Sequence, residues 1–219
     1  MVRSNFDKEL EKLHAKIINM GGLIETAIKD SIKAFKTHDM KLCEAIIEND
    51  DSIDEMEKKI ESKCLWLIAR EQPIASDLRN ITTALKIASE MERIGDHAAD
   101  IAELTMRISD KNAFSDSIHI PQMAALTIEM VKGAINAYVN SDLELARETE
   151  EKDDKVDEYF NVIKEELVQI FEKRSSDMDN AIDFLLIAKY LERIADHAEN
   201  ICEWIHFSQT GEHKNIQIF

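Results

Sequence analysis

A twelve-residue segment that occurs twice constrains the fold of this chain more than any other feature. Residues 92–103 read ERIGDHAADIAE and residues 192–203 read ERIADHAENICE, with eight of the twelve letters identical. A second pair of segments, ENDDSID at 48–54 and EKDDKVD at 151–157, matches at an offset of 103 residues, against 100 for the first pair. Three residues are therefore missing from the second copy between the two matched segments. This pattern predicts a tandem duplication.

The scarcity of turn-forming residues predicts long helices. The 219 residues include five Gly and two Pro, which are too few for the turns of a sheet-rich fold. Asp39 and Asp142 are predicted N-caps. We expect an all-α fold, a tandem duplication of a three-helix bundle, with a first repeat at 1–108, a second at 118–208 and a short C-terminal tail at 209–219. The six predicted long helices lie roughly at 5–36, 39–70, 76–107, 121–140, 142–174 and 178–207.

Charge and cysteine content exclude several classes of function. The formal net charge of −17 disfavours direct binding of nucleic acid or of an anionic lipid surface. Cys43, Cys64 and Cys202 form no CxxC pair, which argues against a disulfide framework or a thiolate zinc site. The N-terminal residues have no apolar signal-peptide core, and no apolar run is long enough to span a bilayer. We expect a cytoplasmic protein.

The carboxylates of the repeated segments fall on one side of their helices. At about 100° per residue, Glu92, Asp96 and Asp100 lie in a stripe roughly 80° wide, turned away from the apolar face. Carboxylates one helical turn apart repel each other unless a cation neutralises them. Oxygen ligands of this kind suit magnesium, calcium, manganese or iron. The stripes therefore predict cation sites on the outer surface of the bundle, and a merely solvated acidic face is the alternative.

Carboxylates that occur in both copies are the candidate shared ligands. Asp100 extends the first set, whereas Asn200 stands at the matching position of the second copy and leaves its ligand count open. We expect His97 and His197, at the edge of the stripe, to make ordinary hydrogen bonds rather than to bind metal. The shared candidates form four pairs with a spacing of four residues: Asp50 with Asp54, Glu92 with Asp96, Asp153 with Asp157, and Glu192 with Asp196.

These residues carry a resemblance to a known family. The stretch AREQPIASDLRNITTALKIASEMERIGDHAADIAE at 69–103, the tandem repeat and the paired (E/D)xxxD motifs resemble the PhoU family of phosphate-uptake regulators. The resemblance covers nearly the whole chain. It implies two three-helix bundles related by pseudo-twofold symmetry. It also implies multinuclear iron or zinc clusters on the (E/D)xxxD motifs, with Arg79 as a candidate partner contact.

The same resemblance implies a function without catalysis. A PhoU-type protein is a cytoplasmic negative regulator of phosphate uptake and of the phosphate-starvation response. It couples the ATPase of the phosphate ABC transporter (PstB-like) to a PhoR-like sensor kinase through protein contacts, and it is commonly a homodimer. It reaches the membrane only through these protein partners, and we expect no nucleic-acid partner.

Two functions of other classes remain as alternatives. A metal-storage or di-iron-type helical-bundle metalloprotein would need inward-facing ligands, which the outward position of the stripe disfavours. A structural dimer whose acidic face binds a basic partner would need no metal at all. The sequence shows no nucleophile–base pair and no glycine-rich phosphate loop, so we expect no enzyme activity.

Overall fold

The protein is an assembly of long α-helices. The computed structural model describes residues 2–108, 119–173, 178–213 and 216–217. The polar stretch at 109–118, which separates the two predicted repeats, and Asp177, where a helix break is predicted, lie outside the described residues. A short antiparallel pair, β1 (Glu212–His213) with β2 (Ile216–Gln217), follows the last helix. The helices are α1 (Val2–Thr37), α2 (Met40–Glu71), α3 (Ala75–Arg107), α4 (Ile120–Asn140), α5 (Leu143–Glu150), α6 (Asp153–Lys173) and α7 (Met178–Thr210).

The predicted all-α fold and the two predicted N-caps are confirmed. Asp39 precedes α2, and its Oδ1 accepts a hydrogen bond from the backbone N–H of Leu42 at 3.2 Å. Asp142 precedes α5, and its Oδ1 accepts from the N–H groups of Glu144 and Leu145 at 3.1 and 3.0 Å. Each carboxylate thereby satisfies amides that the first turn of a helix leaves without a partner.

The fifth predicted helix, 142–174, is interrupted in the structure. Glu151 and Lys152 form a turn between α5 and α6, in which the N–H of Lys152 bonds to the carbonyl of Thr149. The Thr149 hydroxyl also donates to the carbonyl of Leu145 at 2.7 Å. A threonine that bonds to the carbonyl four residues earlier commonly bends its helix. The equivalent α2 of the first repeat is continuous.

The two repeats share one core through the antiparallel pair α3 and α7. The Thr83 hydroxyl, near the start of α3, donates to the carbonyl of Trp204 near the end of α7 at 3.4 Å. Arg107, at the end of α3, forms an ion pair with Asp183 near the start of α7 at 3.0 Å. Between these contacts, the rings of the equivalent His97 and His197 lie 5.4 Å apart. The pseudo-twofold axis therefore passes close to this histidine pair.

One buried apolar cluster includes residues from both repeats, from Phe6 of α1 to Ile205 of α7. His14 of α1 stacks on Tyr138 of α4 with ring centroids 4.7 Å apart, which adds a second contact between repeats. None of the helices in the described part of the chain is both long enough and apolar enough to cross a membrane. The carboxylate stripes lie outside this core, along the lines where α2 meets α3 and where α6 meets α7.

Candidate metal centre

Three carboxylates of the first repeat converge where α2 lies against α3. Asp54 is on α2, and Glu92 and Asp96 are one turn apart on α3. One ligand oxygen from each of the three residues lies within 4.8 Å of the other two. Oxygens that bind one ion are separated by at most about twice a metal–oxygen bond of 2.0–2.6 Å. The spacing therefore accommodates a shared cation.

Burial and mutual repulsion disfavour the ionised form of these carboxyl groups. The pKa of Glu92 is raised to about 7, first by burial and then by the neighbouring charges of Asp96 and Glu57. The pKa of Asp96 is raised as well, by burial and then by Asp54. Binding a divalent cation would reverse both shifts, because an opposite charge stabilises the carboxylate. The electrostatics of this cluster therefore favour a positively charged ligand.

Asp50 lies one turn before Asp54, within the contact between α2 and α3. Its pKa is raised to about 6, by burial first and by Asp96 next. Its Oδ1 atom is buried and has no hydrogen-bond partner among the residues that the structure describes. On α3 the facing residue is Gly95, where an added Cβ would lie 3.3 Å from this oxygen and 2.9 Å from Cδ1 of Ile53. Gly95 thus allows Asp50 and Ile53 to lie close against α3.

Two further charged residues of α2 border the cluster. Lys58 lies with its Nζ atom 3.5 Å from Oδ2 of Asp54, in a solvent-exposed ion pair. Exposed pairs of this kind contribute about 0–1 kcal/mol, so a divalent ion can displace the ammonium at small cost. Glu57 is absent from the predicted ligands because the second copy has Phe160 at that position. In the structure its charge nonetheless helps to raise the pKa of Glu92.

The second repeat holds its candidate carboxylates in a similar arrangement. The pKa of Asp153 is raised to about 7, by burial and then by Glu199 and Asp196. The pKa of Asp196 is raised by burial and then by Glu192. Within the described part of the chain, the Oδ1 atom of Asp153 is buried without a hydrogen-bond partner, as is that of Asp50 at the equivalent position. The two repeats therefore place equivalent buried oxygens, Asp50 Oδ1 and Asp153 Oδ1, at equivalent helix pairs, α2 with α3 and α6 with α7.

The second cluster differs from the first in one of its predicted members, Glu192. Asp157 is close enough to contribute to the raised pKa of Asp153, but the Glu192 carboxylate is ion-paired with Lys189. Across the described residues, the first repeat alone brings three metal-ligating side chains within 4.8 Å of one another. A cation in the second repeat would have to displace Lys189.

Glu150, at the end of α5, belongs to the second cluster and was not predicted from the sequence. Burial and the charges of Glu203 and Glu199 raise its pKa to about 7. Its counterpart in the first repeat is Ile47, so comparison of the two copies gave no signal. Glu150 is seven residues before Asp157, so helical periodicity alone puts it within about 20° of that residue on the same face. This spacing is the sequence signal that could have found it.

With the geometry established, comparison with known proteins decides the family. The family model described as "PhoU domain" matches the chain twice, at residues 17–105 and 120–205. This chain belongs to the PhoU family. The two matches correspond to the two helical repeats of the structure.

Relatives and solved structures agree with this assignment over the full length. A phosphate-specific transport system accessory protein PhoU homolog from Clostridium acetobutylicum is 39% identical over 217 residues, 99% of each chain. A homolog with the same description from Caulobacter vibrioides is 36% identical over 97% of this chain and 93% of its own. The crystal structure of PhoU from Pseudomonas aeruginosa superposes with a TM-score of 0.89 at 31% identity, covering 94% of this chain and all of that one. The phosphate transport system regulatory protein PhoU from Streptococcus pneumoniae gives a TM-score of 0.90 at 28% identity, covering 96% and 100%.

The equivalent histidines at the contact between α3 and α7 have different hydrogen-bond partners. His97 Nδ1 lies 3.2 Å from Asp100 Oδ2, whereas His197 Nδ1 lies 2.7 Å from Glu90 Oε2 across the α3–α7 contact. Both histidines thus have hydrogen-bond partners, as predicted. Asn200, the predicted ligand that replaces an acid, donates its side-chain N–H to Glu90 at 3.3 Å. Asn200 therefore contributes to the contact between repeats, whereas Asp100 pairs with His97 within α3. The role of both residues as ligands stays a prediction.

Arg79 of this PhoU-family chain has an intramolecular partner. Its Nε–H donates to the backbone carbonyl of Ser208 near the end of α7, at 3.4 Å. A cation near the last carbonyls of a helix is favourable, because these carbonyls carry a partial negative charge. This contact joins the start of α3 to the second repeat. The predicted contact of Arg79 with a partner protein stays a prediction.

The donor set fits the metal that the PhoU resemblance implies. The first cluster offers three carboxylates at sharing distance, together with the buried, unsatisfied oxygen of Asp50. Iron and zinc both accept carboxylate oxygens, at about 2.0–2.2 Å for zinc. In the first repeat Asp54, Glu92 and Asp96 would hold the ion, with Asp50 as a further donor.

Proposed function

We propose that this chain is a non-catalytic cytoplasmic regulator that restrains phosphate uptake and holds the phosphate-starvation response off. The observation that supports this most directly is the match to accessory and regulatory proteins of phosphate-specific transport over 97–99% of this chain.

The proposed regulator acts through protein contacts. Its partners would be the ATPase of the phosphate ABC transporter, of PstB type, and a PhoR-like sensor kinase, with a second copy of the chain completing a homodimer. A net charge of −17 repels free phosphate. The chain would therefore respond to the state of the transporter rather than bind phosphate directly.

We further propose that the two carboxylate clusters bind iron or zinc. The three oxygens within 4.8 Å in the first repeat support this most directly. The raised pKa values of Glu92 and Asp153, both about 7, also support it. Without a bound cation, these two carboxyl groups are only partly ionised near neutral pH. Bound metal would link α2 to α3, and α6 to α7, at the surface of each bundle.

Genetic complementation tests the regulatory function. In a bacterial strain that lacks its own PhoU-family regulator, a phosphate-starvation reporter stays on at high phosphate. We expect expression of this chain, together with the transporter and kinase of its own species, to restore repression. A reporter that stays on, with the chain present at normal levels and folded, would contradict the proposal.

Elemental analysis tests the metal separately. The chain purified without chelator or affinity metal is expected to carry stoichiometric iron or zinc, and the variant Asp54→Asn/Asp96→Asn to lose the first-repeat fraction. The matched control is Asp51→Asn/Glu55→Gln, which removes two acids from α2 outside the cluster. Equal metal content in all three proteins, or no metal in any, would contradict the site.

A further inference from the structure

A groove between α1 and α2 concentrates positive charge on this acidic protein. It is an open surface groove, on a chain whose acidic residues number 44 against 27 Lys and Arg. Of its seven lining residues, four are lysines and one is acidic. We call this surface the basic face, and its residues are Lys16, Glu55, Lys58, Lys59, Ser62, Lys63 and Trp66.

Two cations of the basic face, Lys58 and Lys59, are held only by exposed ion pairs, whereas Lys63 is ion-paired with Glu9 in a partly buried contact. Lys59 pairs with Glu55 one turn away at 2.9 Å, with both side chains more than half exposed. Exposed pairs at this spacing contribute about 0.3–0.5 kcal/mol, so the ammonium can exchange one carboxylate for another at little cost. The Lys63 ammonium lies 4.2 Å and the Arg70 guanidinium 4.9 Å from the centroid of the Trp66 ring, both in cation–π contact. These two cations already cover the ring, so the face suits carboxylates better than a stacking aromatic ligand.

The same surface of the second repeat has the opposite charge. At the offset of 103 residues, the counterparts of the four lysines are a histidine, an asparagine, a valine and a glutamate. The other three counterparts are two glutamates and a glutamine. His119 Nδ1 lies 2.7 Å from Glu166 Oε1, so the start of α4 meets α6 as α1 meets α2 in the basic face. We call this surface the acidic face, and its residues are His119, Glu158, Asn161, Val162, Glu165, Glu166 and Gln169.

We propose that two copies of this chain associate through these surfaces, with the basic face of one protomer against the acidic face of the other. The inference rests on the homodimer of the proposed function and assigns the surface that forms it. In a twofold-symmetric pair each protomer supplies both faces, so the contact forms twice. Lys16, Lys58 and Lys59 then face three glutamates at each contact. Of these, Glu158 would exchange its exposed pair with Lys155, and Glu166 stays bonded to His119.

Exposed apolar residues border both faces at equivalent positions. Leu65 of α2 is 55% exposed, and its counterpart Val168 of α6 is 51% exposed. Val162, within the acidic face, is 40% exposed. Association would bury these side chains beside the charged contacts, and burial of apolar area is the main favourable term in protein association. The charges would then set which faces meet.

The net charge of each protomer does not prevent this contact. At 0.15 M ionic strength charges more than about 8 Å apart are largely screened, whereas groups in contact are not. Local complementarity therefore outweighs the repulsion between two acidic protomers. An acidic segment of another protein would also suit the basic face, but it would leave the acidic face of α6 without a role.

Charge reversal tests the proposal on the full-length chain. Lys16→Glu/Lys59→Glu makes both faces acidic, and Glu158→Lys/Glu165→Lys makes both faces basic. We expect the unmodified chain to sediment as a dimer at about 50 μM in 0.1 M salt, and each variant alone to sediment as a monomer. Mixing the two variants should restore a dimer, and 0.5 M salt should weaken both the original and the mixed pair at least tenfold.

The control is Lys33→Glu/Lys36→Glu, which makes the same change of net charge on an exposed part of α1 away from the groove. It should remain a dimer. Dimers that persist in both reversal variants would overturn the assigned faces and leave the homodimer in place. A monomeric unmodified chain at 50 μM would overturn the contact and the homodimer together, while complementation still tests the regulatory role. Circular dichroism of each variant confirms that loss of the dimer is not loss of the fold.

Discussion

Two helical glycines have different surroundings, and the difference shows how one residue shapes the metal centre. Gly95 of α3 faces the side chains of Ile53 and Asp50, whereas an added Cβ at Gly22 of α1 would meet no atom of the other described residues within 4 Å. In an open helical position Gly→Ala gains about 0.5–1 kcal/mol of stability. In a tight contact, overpacking costs about 1–3 kcal/mol. The first repeat thus gives up helix propensity at Gly95 so that α2 can lie close to α3.

We therefore predict opposite effects for two identical substitutions. Gly22→Ala should raise the free energy of unfolding by about 0.5–1 kcal/mol. Gly95→Ala should lower it by about 1 kcal/mol and weaken metal binding, because Asp50 and Ile53 must move. Urea denaturation and metal titration of both variants measure this. If Gly95→Ala were as stabilising as Gly22→Ala, the close α2–α3 contact would be wrong.

The Glu92 carboxylate destabilises the fold when no metal is bound and is a candidate ligand when metal is present. Its pKa of about 7 means that ionisation is unfavourable in the folded, metal-free chain. We predict that Glu92→Gln raises the Tm of the metal-free protein at pH 8 by a few degrees, about 2–4 °C for each kcal/mol. The same substitution should lower metal affinity at least tenfold. Glu148→Gln, on the exposed side of α5, is the control and should change neither quantity.

At the scale of elements, the helices were predictable and their fine geometry was not. Apolar periodicity and the Asp39 cap placed α2 at 39–70, against 40–71 in the structure. The turn at Glu151 has no Gly or Pro to mark it. Thr149, just before the turn, packs against Gly133 of α4, and the sequence does not show this contact. Helical angles likewise placed the carboxylates on one stripe. Helical angles did not predict the distance between α2 and α3. That distance brings Asp54 close to Glu92 and Asp96.

The short helix α5 leads to one prediction at this scale. It has eight residues, and Asp142 caps two of its first amides. We predict that Asp142→Ala costs about 1 kcal/mol of folding free energy, while Asp142→Asn, which keeps the acceptor oxygen, costs less than half as much. Urea denaturation of the two variants separates them. Equal losses would mean that charge, and not the hydrogen-bonded cap, is what Asp142 contributes.

For the whole molecule, the acidic clusters make stability depend on pH and metal together. The folded pKa values of Asp50, Glu92, Glu150 and Asp153, about 6 to 7, lie above their ordinary values near 4. Between pH 4 and 7 the folded chain therefore binds more protons than the unfolded chain, so raising the pH through this range removes stability. Glu9 has the opposite sign, because Lys12 and Lys63 lower its pKa to about 2, and its stabilisation is lost only below pH 4.

We predict that the chelator-treated protein is most stable near pH 5 and that its Tm falls by about 3–10 °C between pH 5 and pH 8, after allowance for solvent screening of these partly exposed groups. With saturating iron or zinc the trend should reverse, because metal binds the ionised carboxylates and competes with protons for them. Thermal melts at pH 5, 6, 7 and 8, with and without metal, measure both curves. A metal-free protein that is more stable at pH 8 than at pH 5 would show that the carboxylates do not repel one another as the structure places them. A metal-loaded protein with an unchanged curve would show that the ion binds elsewhere.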